Sequence, residues 1–297
     1  MVIVQLMGGL GNQMFQYAAG RALALRRGTE LKLDLGFLLD RTPVQNFIFR
    51  DYDLEIFNTK AAIATKQEIN NILGQGSDNS LLSKVNLLKY KLNPPSIIIE
   101  PHPHYSNVLI HAPKNVYMKG YWQSEQYFED FEMQIRNDLT FKTPLSGHAA
   151  ILEAQIRNVN AVCINVRRGD FVDNPSSRDH HGFVGLDYFN NAVKIIEEKF
   201  SDPHFFIFSD DVEWCRENIV LAHPFRVVDH TYAGEKFQGY MQLMIACRHF
   251  IIPNSTFGWW AAWLSTDPQK TVIAPKQWFV HNDRNTSDLI PSKWKRV

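Results

Sequence analysis

Residues 2–35 read VIVQLMGGLGNQMFQYAAGRALALRRGTELKLDL, and this segment predicts a strand, a glycine turn, a helix and a second strand. The apolar run Val2–Met7 is typical of a buried strand, and Gly8–Gly11 supplies the turn. Met14–Arg27 is rich in Ala and Leu, as helices are, and Leu31–Leu35 is again strand-like. A β-α-β unit of this kind predicts a parallel sheet with a crossover helix.

The same alternation returns after residue 160 and continues towards the end of the chain. The predicted strands there are 162–166, 205–208, 226–228, 250–252 and 271–274, and the predicted helices are 187–200, 211–218, 235–247 and 255–264. Repeated βα units of this length predict a second Rossmann-like domain. Residues 60–115 carry several prolines and a Gly/Ser/Asn patch, which predicts a partly irregular segment.

We therefore expect an α/β protein with one Rossmann-like domain over residues 1–155 and another over residues 156–297. A cleft between two such domains is a natural place for a nucleotide-linked substrate.

Composition excludes several classes of protein. The 297 residues include 31 Lys and Arg and 31 Asp and Glu, so the formal charge is zero, which argues against a general nucleic-acid binder. The three cysteines form no CxxC pair, so we expect reduced, buried thiols and no zinc site or disulfide framework. No signal-like segment or membrane-spanning apolar run is visible, which predicts a cytoplasmic protein.

The first candidate binding segment is GGLGNQ, residues 8–13. Glycines after a strand let a ligand approach the backbone closely, and the following helix offers unpaired N–H groups. The spacing matches neither the dinucleotide fingerprint nor the Walker loop. A purely structural tight turn explains the residues equally well.

The second candidate is NVRRGD, residues 165–170, at the end of the clearest strand. Ligands of open parallel sheets bind beyond the carboxyl ends of strands, and paired arginines can hold a diphosphate in fork geometry. Asp170 could orient one of the arginines. The alternative is a surface ion pair without a ligand.

Two further segments also follow predicted strands. In FSDD, residues 208–211, the acidic pair could accept hydrogen bonds from a base or a ribose, or could cap the next helix. In NSTFGWWAAWL, residues 254–264, the hydroxyls of Ser255 and Thr256 and the helix N–H groups suit a phosphate. The three tryptophans of that segment have the spacing of a buried stripe, so we predict that they pack.

A metal site is poorly supported by the sequence. Asp51 and Asp53 form a DxD pattern, but the apolar residues that follow favour a half-buried structural segment. We predict no metal ligands and no cofactor.

Five motifs together carry a resemblance to a known family. GGLGNQMFQ at residues 8–16, GYWQSEQYF at 120–128, the arginine motif, FSDD followed by Trp214, and NSTFGWWAAWL occur in that order. Across nearly its whole length the chain resembles the bacterial α-1,2-fucosyltransferases. The resemblance implies a GT-B-like fold of two Rossmann-like domains facing a cleft. It also implies GDP-L-fucose as the donor, transfer to O2 of a galactose with inversion, and no required metal.

The resemblance also assigns roles to residues. It implies that Asn12, Arg167 and Asp170 are catalytic, with Arg167 on the leaving diphosphate and Arg168 in a supporting place. The residues expected to bind GDP-fucose are Gly9, Gly11, Asn165, Arg168, Ser209, Asp210, Asp211, Asn254, Ser255, Thr256 and Phe257. Those expected on the acceptor side are Gln13, Trp122 and Glu125. The catalytic base stays open between Asp170 and Glu125.

One residue departs from the family pattern. Relatives read HxRRxD where this chain has Asn165 at the histidine position. An amide can hydrogen-bond but cannot take up a proton near neutral pH, so we expect Asn165 to orient its neighbours.

Two alternatives to this function remain. One is a non-catalytic protein that binds a nucleotide sugar or a glycan on the same fold, and the other is a GT-B transferase with another donor. The expected partners are a nucleotide sugar and a glycan acceptor, without nucleic acid and without a membrane span. Peripheral contact with a lipid-linked glycan at the inner membrane is left open, as are the natural acceptor and the oligomeric state.

Overall fold

The computed structural model describes residues 1–44, 48–74, 96–169, 184–280 and 285–297. The chain divides into two compact units. The first contains Met1–Lys142 and Ser287–Leu289, and the second contains Thr143–Thr286 and Ile290–Val297. Each unit is built on its own parallel sheet, so the predicted α/β class is confirmed.

The first unit has strands β1 (Val2–Gln5), β2 (Leu31–Asp34), β3 (Ala62–Ile63), β4 (Ile97–Ile99) and β5 (Val116–Lys119). The spatial order is β3-β2-β1-β5-β4, and all neighbours are parallel. The helices of this unit are α1 (Leu10–Arg27), α2 (Lys66–Leu73) and α3 (Glu132–Asp138).

The predicted β-α-β unit is present, but its helix begins earlier than expected. α1 starts at Leu10 and not at Met14, because Gly9 is the extended N-cap and Gly11 already lies inside the first turn. Gly28, in the left-handed region at φ 59°, ends the helix as C-cap glycines commonly do. The apolar side of α1 is buried on the sheet, as the Ala- and Leu-rich sequence predicts.

The segment predicted as partly irregular contains regular elements in its described part. α2 begins with a capping box, in which Thr65 and Glu68 bond each other's backbone N–H groups. β3 and β4 span only two and three residues and are largely exposed, with Ile97 and Ile99 on the outer strand. These short elements are compatible with the predicted partly irregular segment, of which residues 75–95 lie outside the described residues.

The second unit has strands β6 (Ala161–Val166), β7 (His204–Ser209), β8 (Phe225–Val228), β9 (His249–Ile251), β10 (Val272–Ala274) and β11 (Lys295–Arg296). Its α-helices within the described residues are α4 (Gly147–Arg157), α5 (Leu186–Lys199), α6 (Val212–Asn218), α7 (Gln238–Ile245) and α8 (Thr256–Leu264). The spatial order is β8-β7-β6-β9-β10-β11, all parallel, which is the strand order of a Rossmann sheet.

The core of the second unit forms where α5 and α8 bury apolar side chains. Phe189, Val193 and Ile196 of α5 pack on the strands, at the spacing of one helix face. In α8, Trp259 and Trp260 are fully buried with ring centroids 5.0 Å apart, so their predicted packing role is confirmed. Replacing one such residue by Ala typically costs about 3–5 kcal/mol.

Three further features bear on the sequence predictions. The first unit ends at Lys142, before the expected boundary at residue 155, because α4 packs against α7 of the second unit. Cys163, Cys215 and Cys247 are free and buried, as expected of reduced thiols. Within the described ranges, no helix is both long and apolar enough to cross a membrane.

Candidate functional site

The strand order of the second sheet reverses between β6 and β9. After β6 the chain adds β7 and β8 on one side, and it then returns to add β9 and β10 on the other. Ligands of such sheets bind beyond the carboxyl ends of the strands at this switch point. Three of the predicted binding segments follow β6, β7 and β9, which are neighbours in the sheet, so the fold brings them together.

Asp210 organises the turn that follows β6. Its Oδ1 accepts the backbone N–H of Arg168 at 2.9 Å, and its Oδ2 accepts that of Gly169 at 3.0 Å. The same Oδ2 lies 3.0 Å from a guanidinium nitrogen of Arg167, whose side chain is 30% exposed. Asp210 therefore fixes the turn and holds the guanidinium of Arg167 in place while leaving part of it open to a ligand.

Arg168 is engaged by the protein itself. Its guanidinium stacks on the ring of Trp214 at 3.9 Å and lies 3.2 Å from Asp211 Oδ2. Asp211 also caps α6 by accepting the N–H of Trp214, and its own N–H donates to the Ser209 hydroxyl at 2.9 Å. These contacts hold the side chain of Arg168 against α6, and its supporting role beside a diphosphate stays a prediction. They also show that Asp211 caps a helix, which was one of its two predicted uses.

Asn165 lies near the end of β6 and is almost completely buried. Its Nδ2 donates to the carbonyl of Phe208 at 3.2 Å, which ties β6 to β7. Among the described residues its Oδ1 has no hydrogen-bond partner, and it faces Gly258 in the first turn of α8. A neutral amide thus stands between two strands and a helix, in agreement with an orienting role.

The N-terminus of α8 follows β9, beside the end of β6. Ser255 is the N-cap, and its side chain makes no capping hydrogen bond. Ser255, Thr256 and Phe257 are partly exposed, whereas the rest of the helix is buried. Asn254 is buried and donates to the carbonyl of Trp278 at 3.1 Å, which fixes the entry to the helix. A helix N-terminus and an arginine on adjacent strands form a positive site that suits a diphosphate.

The first sheet has its own switch point between β1 and β5. Gln13 of the glycine segment is fully buried there. Its Nε2 donates to the carbonyls of Gly8 at 3.0 Å and Asp51 at 2.8 Å, and its Oε1 accepts the N–H of Asp53 at 3.0 Å. Gln13 therefore supports the glycine turn and anchors the DxD segment to it.

Gln16 performs a similar task, which the sequence analysis missed. Its amide exchanges two hydrogen bonds with the backbone of Met7, at 3.0 and 3.1 Å. The signal was present, since both glutamines belong to the GGLGNQMFQ motif. With Gly9 as the N-cap of α1 and Gly11 buried in its first turn, the motif is a turn that its own side chains hold in shape.

Asn12 is partly exposed beside this turn, and its Oδ1 accepts a hydrogen bond of 2.8 Å from Gln123, which follows β5. Trp122 is completely buried and packs edge-on against Tyr127, with ring centroids 5.3 Å apart. Glu125 is partly exposed at the start of a short 3₁₀ helix. Asn12, Trp122 and Glu125 therefore follow β1 or β5 in the chain. Gln13 and Trp122 are completely buried, so neither side chain is exposed to an acceptor in this structure, and the acceptor-side role of Glu125 stays a prediction.

Glu100 at the end of β4 is a second residue that the sequence analysis missed. Its two carboxylate oxygens accept the backbone N–H groups of Tyr121 at 2.7 Å and Trp122 at 2.9 Å. Burial raises the pKa of the Glu100 carboxyl, and the two N–H groups oppose that rise. No periodic pattern surrounds Glu100 in the sequence, so only the pairing of β4 with β5 shows its role.

The predictions for Asp170 and for the DxD pattern of Asp51 and Asp53 remain to be compared with the structure. Asp170 lies outside the described residues. The carboxylate of Asp51 pairs with Arg41 at 2.7 Å, and it is largely exposed. The described part of the chain contains no group of three or more His, Cys, Asp or Glu residues that could hold a metal ion.

The chain is similar in sequence to known glycosyltransferases. The model of glycosyl transferase family 11 matches residues 101–295. Over its full length the chain is 31% identical to an α-1,2-colitosyltransferase of Escherichia coli, of which it covers 98%. It is also 31% identical to galactoside α-(1,2)-fucosyltransferase 1 of Mus musculus over 160 residues, which are 50% of this chain and 41% of that one.

Among solved structures, a mutant of Arabidopsis thaliana FUT1 in complex with GDP is similar, with a TM-score of 0.50 and 11% identity. The match covers 92% of this chain and 70% of that one. The likeness confirms the expected fold class, a glycosyltransferase fold of the GT-B type with two parallel sheets.

Proposed function

The chain belongs to glycosyl transferase family 11, and from this membership we propose that it is a galactoside α-1,2-fucosyltransferase. In the proposed reaction it transfers L-fucose from GDP-L-fucose to O2 of a galactose, with inversion at the anomeric carbon. The observation that carries the proposal is the placement of Arg167. Arg167 follows β6 at the switch point of the second sheet, and Asp210 holds its guanidinium there. The neighbouring strand β9 leads to the N-terminus of α8.

This placement suits the departure of a nucleoside diphosphate. As the bond from C1 of fucose to the β-phosphate oxygen breaks, negative charge builds up on the diphosphate. A guanidinium that is already held in place stabilises that charge without reorganisation. The N–H groups at the start of α8 and the hydroxyls of Ser255 and Thr256 add donors of the kind that bind phosphate. Asp210 acts through Arg167, and Arg168 keeps the turn rigid.

The acceptor hydroxyl must attack C1 from the face opposite the diphosphate and lose its proton. In the proposal Asn12 contributes to placing that hydroxyl, which lowers the entropic part of the barrier. The proton passes to a carboxylate, for which Asp170 and Glu125 are the candidates. An oxocarbenium-like transition state lowers the demand on this base, because C1 is then strongly electrophilic before the new bond forms.

We further propose that transfer needs no metal ion. The charge that a divalent cation would neutralise is met in the proposal by Arg167 and by the positive end of α8. We expect the initial rate to stay within twofold after dialysis against EDTA. A rate that disappears with EDTA and returns with Mg²⁺ or Mn²⁺ would contradict this and would direct attention to Asp51 and Asp53.

A second donor deserves a direct comparison because of the relative from Escherichia coli. Colitose is L-fucose without the hydroxyl at C3, and that relative's name gives it the same α-1,2 linkage. A site that binds the diphosphate and leaves C3 without a partner would accept either sugar. One that donates to or accepts from O3 would reject colitose, since its polar group would lose its partner.

The test is to incubate the protein with lactose and either GDP-fucose or GDP-colitose and to identify the product by mass spectrometry and NMR. We expect 2′-fucosyllactose at the higher kcat/KM. Transfer from GDP-colitose alone would assign the chain to the other donor. Binding of GDP without transfer from either donor, over a panel of galactosides, would favour the non-catalytic alternative. The control is Arg167→Ala, which should bind lactose but transfer the sugar about 10²–10³-fold more slowly.

A further inference from the structure

We propose that Gln123 is a positioning residue that fixes the side-chain amide of Asn12, so that its N–H groups are presented to an oxygen of the acceptor sugar. The proposal rests on the proposed function and deepens it, because it states how the acceptor side recognises a hydroxyl. It also assigns a role to a residue of the GYWQSEQYF motif for which the family resemblance gave none.

The first step is the location of the pair. β1 and β5 are neighbours in the first sheet, with Val4 beside Met118, and the strand order reverses between them. Asn12 follows β1 through the glycine turn, and Gln123 stands four residues after the end of β5 at Lys119. The hydrogen bond between them therefore spans the switch point, where sheets of this kind bind small ligands.

The second step is the direction of the hydrogen bond. The amide nitrogen of Gln123 can only donate, so at 2.8 Å it selects the oxygen of Asn12 and not the nitrogen. The Nδ2 group of Asn12 then lies on the side of Gly8. A Cβ on residue 8 would come within 2.5 Å of that nitrogen, and Gly8 has φ +77°, so both the space and the backbone there require glycine.

The third step is what holds Gln123. The preceding residue, Trp122, is buried with φ 56°. In a bulky residue this conformation costs about 1–3 kcal/mol and persists only where the surroundings impose it. The carboxylate of Glu100 imposes it by accepting the N–H groups of Tyr121 and Trp122. Gln123 thus extends from a backbone that is fixed by the neighbouring strand β4.

The fourth step is the chemistry that results. An N–H group can donate to a lone pair but cannot accept a proton, so Asn12 recognises an oxygen as an acceptor of a hydrogen bond. A galactose hydroxyl bound in this way keeps its own O–H proton free for a base. Gln123 would determine this preference without touching the sugar, because it decides which end of the Asn12 amide is presented.

The test compares two substitutions at one position, at pH 8, where a carboxylate is ionised. Gln123→Glu keeps the shape but offers only acceptor atoms, so the Asn12 amide must turn and present its oxygen. Gln123→Met removes the hydrogen bond and leaves the amide without a fixed direction. We expect kcat/KM for the acceptor to fall about 100-fold in Gln123→Glu and about 10-fold in Gln123→Met. In both, the Kd of GDP should stay within twofold and Tm nearly unchanged.

The order of the two effects separates positioning from a merely structural role. If the bond only stabilised the fold, Gln123→Glu, which can still bond Asn12, would be the milder change. Asn12→Asp should match Gln123→Glu, since it also presents oxygen. Gln126→Glu, an exposed residue in the same segment, is the control for added charge and should behave as wild type.

A Gln123→Glu variant at least as active as Gln123→Met would overturn the positioning role while leaving the proposed function in place. A wild-type protein that transfers no sugar would overturn both.

Discussion

At the scale of single residues, the proposed donor site depends on the guanidinium of Arg167. Its partner, Asp210, already accepts two backbone N–H groups, so this carboxylate stays hydrogen-bonded even when the arginine is removed. In this pair Arg167 is the residue whose charge a ligand would meet, whereas Asp210 supports the turn. Arg168 is different, because its stacking on Trp214 and its pairing with Asp211 contribute to packing.

We predict that Arg167→Ala lowers kcat about 10²–10³-fold with Tm nearly unchanged, since one charge-stabilising donor is lost and no buried carboxylate is left unpaired. Arg167→Lys should restore only part of the rate, because an ammonium lacks the planar fork. Initial rates and thermal unfolding check both. Arg157→Ala, which removes a surface pair on α4, is the matched control. Near-normal turnover in Arg167→Ala would refute the assignment of the leaving-group site.

Asn165 gives a second prediction at this scale. The family histidine fits this place only if the ring can lie against Gly258, which has no side chain there. We expect Asn165→His to fold and to retain transfer, without a new ionisation in the pH profile of kcat.

Gly258→Ala should lower both Tm and GDP affinity, although Ala is the better helix former, because its Cβ would come within 2.6 Å of Asn165 Oδ1. A more stable Gly258→Ala protein would contradict this.

At the scale of elements, the amino ends of the second sheet carry a pH-sensitive contact far from the donor segments. His249 at the start of β9 bonds Asn160 through Nε2 and accepts the N–H of Thr271 through Nδ1, so it is held neutral. Burial lowers the pKa of His249 to about 4; Asp267 opposes the shift, and Lys199 and Arg248 reinforce it. Protonation must break one of these hydrogen bonds.

The sign of the effect on stability follows from this lowered pKa. In the unfolded chain the histidine has its ordinary pKa of 6.5, so between pH 6.5 and pH 4 it binds a proton that the folded protein does not bind. The stabilisation is complete above pH 6.5 and is lost as pH falls towards 4, by about 2 kcal/mol at pH 5. Urea unfolding at pH 8 and pH 5, followed by tryptophan fluorescence, checks this. The change in the free energy of unfolding between pH 8 and pH 5 should be smaller in His249→Gln than in the wild type. It should be unchanged in His111→Gln, which replaces an exposed histidine and serves as the control. An equal change in the wild type and both variants would refute the assignment to His249.

The elements also show how far the sequence could be interpreted. Segments such as α5 and β6 were predicted nearly residue by residue, because α5 buries one regular face and β6 is buried along its whole length. The predicted start of α1, at Met14, was four residues too late. The predicted helix 235–247 was too long. Its first turn is a 3₁₀ segment with Lys236 and Phe237 in left-handed conformations, where Gly239 packs on the carbonyl of Tyr232. β3, β4 and β11 are two or three residues long and give no periodic signal.

The candidate site was predictable where a motif directly follows a strand, as Arg167 and Ser255 do. It was not predictable where strands that are distant in the chain become neighbours. Glu100 and Gln123 acquire their roles only because β5 lies between β1 and β4.

At the scale of the whole molecule, each of the two sheets has its own switch point, and we expect the two switch points to bind different parts of the substrates. The positive groups that suit a diphosphate follow β6 and β9 in the second unit. The amide groups that suit a sugar follow β1 and β5 in the first. A chain of zero formal charge can still bind a nucleoside diphosphate, because Arg167 and the N-terminus of α8 concentrate positive charge locally.

This division predicts where GDP protects the chain from hydrogen exchange. At about 100 times its Kd, GDP should stabilise the protein by about 2.7 kcal/mol, and UDP by much less. Slower exchange should be concentrated in the second unit, at residues 165–169, 209–211 and 254–257, which follow three adjacent strands. Residues 8–13 and 120–123 should change little until a galactoside acceptor is added. Arg167→Ala at the same GDP concentration is the control, and it should lose most of the protection. Equal protection of the glycine turn by GDP alone would mean that the first unit also binds the nucleotide, and the separation of donor and acceptor groups between the two sheets would then be wrong.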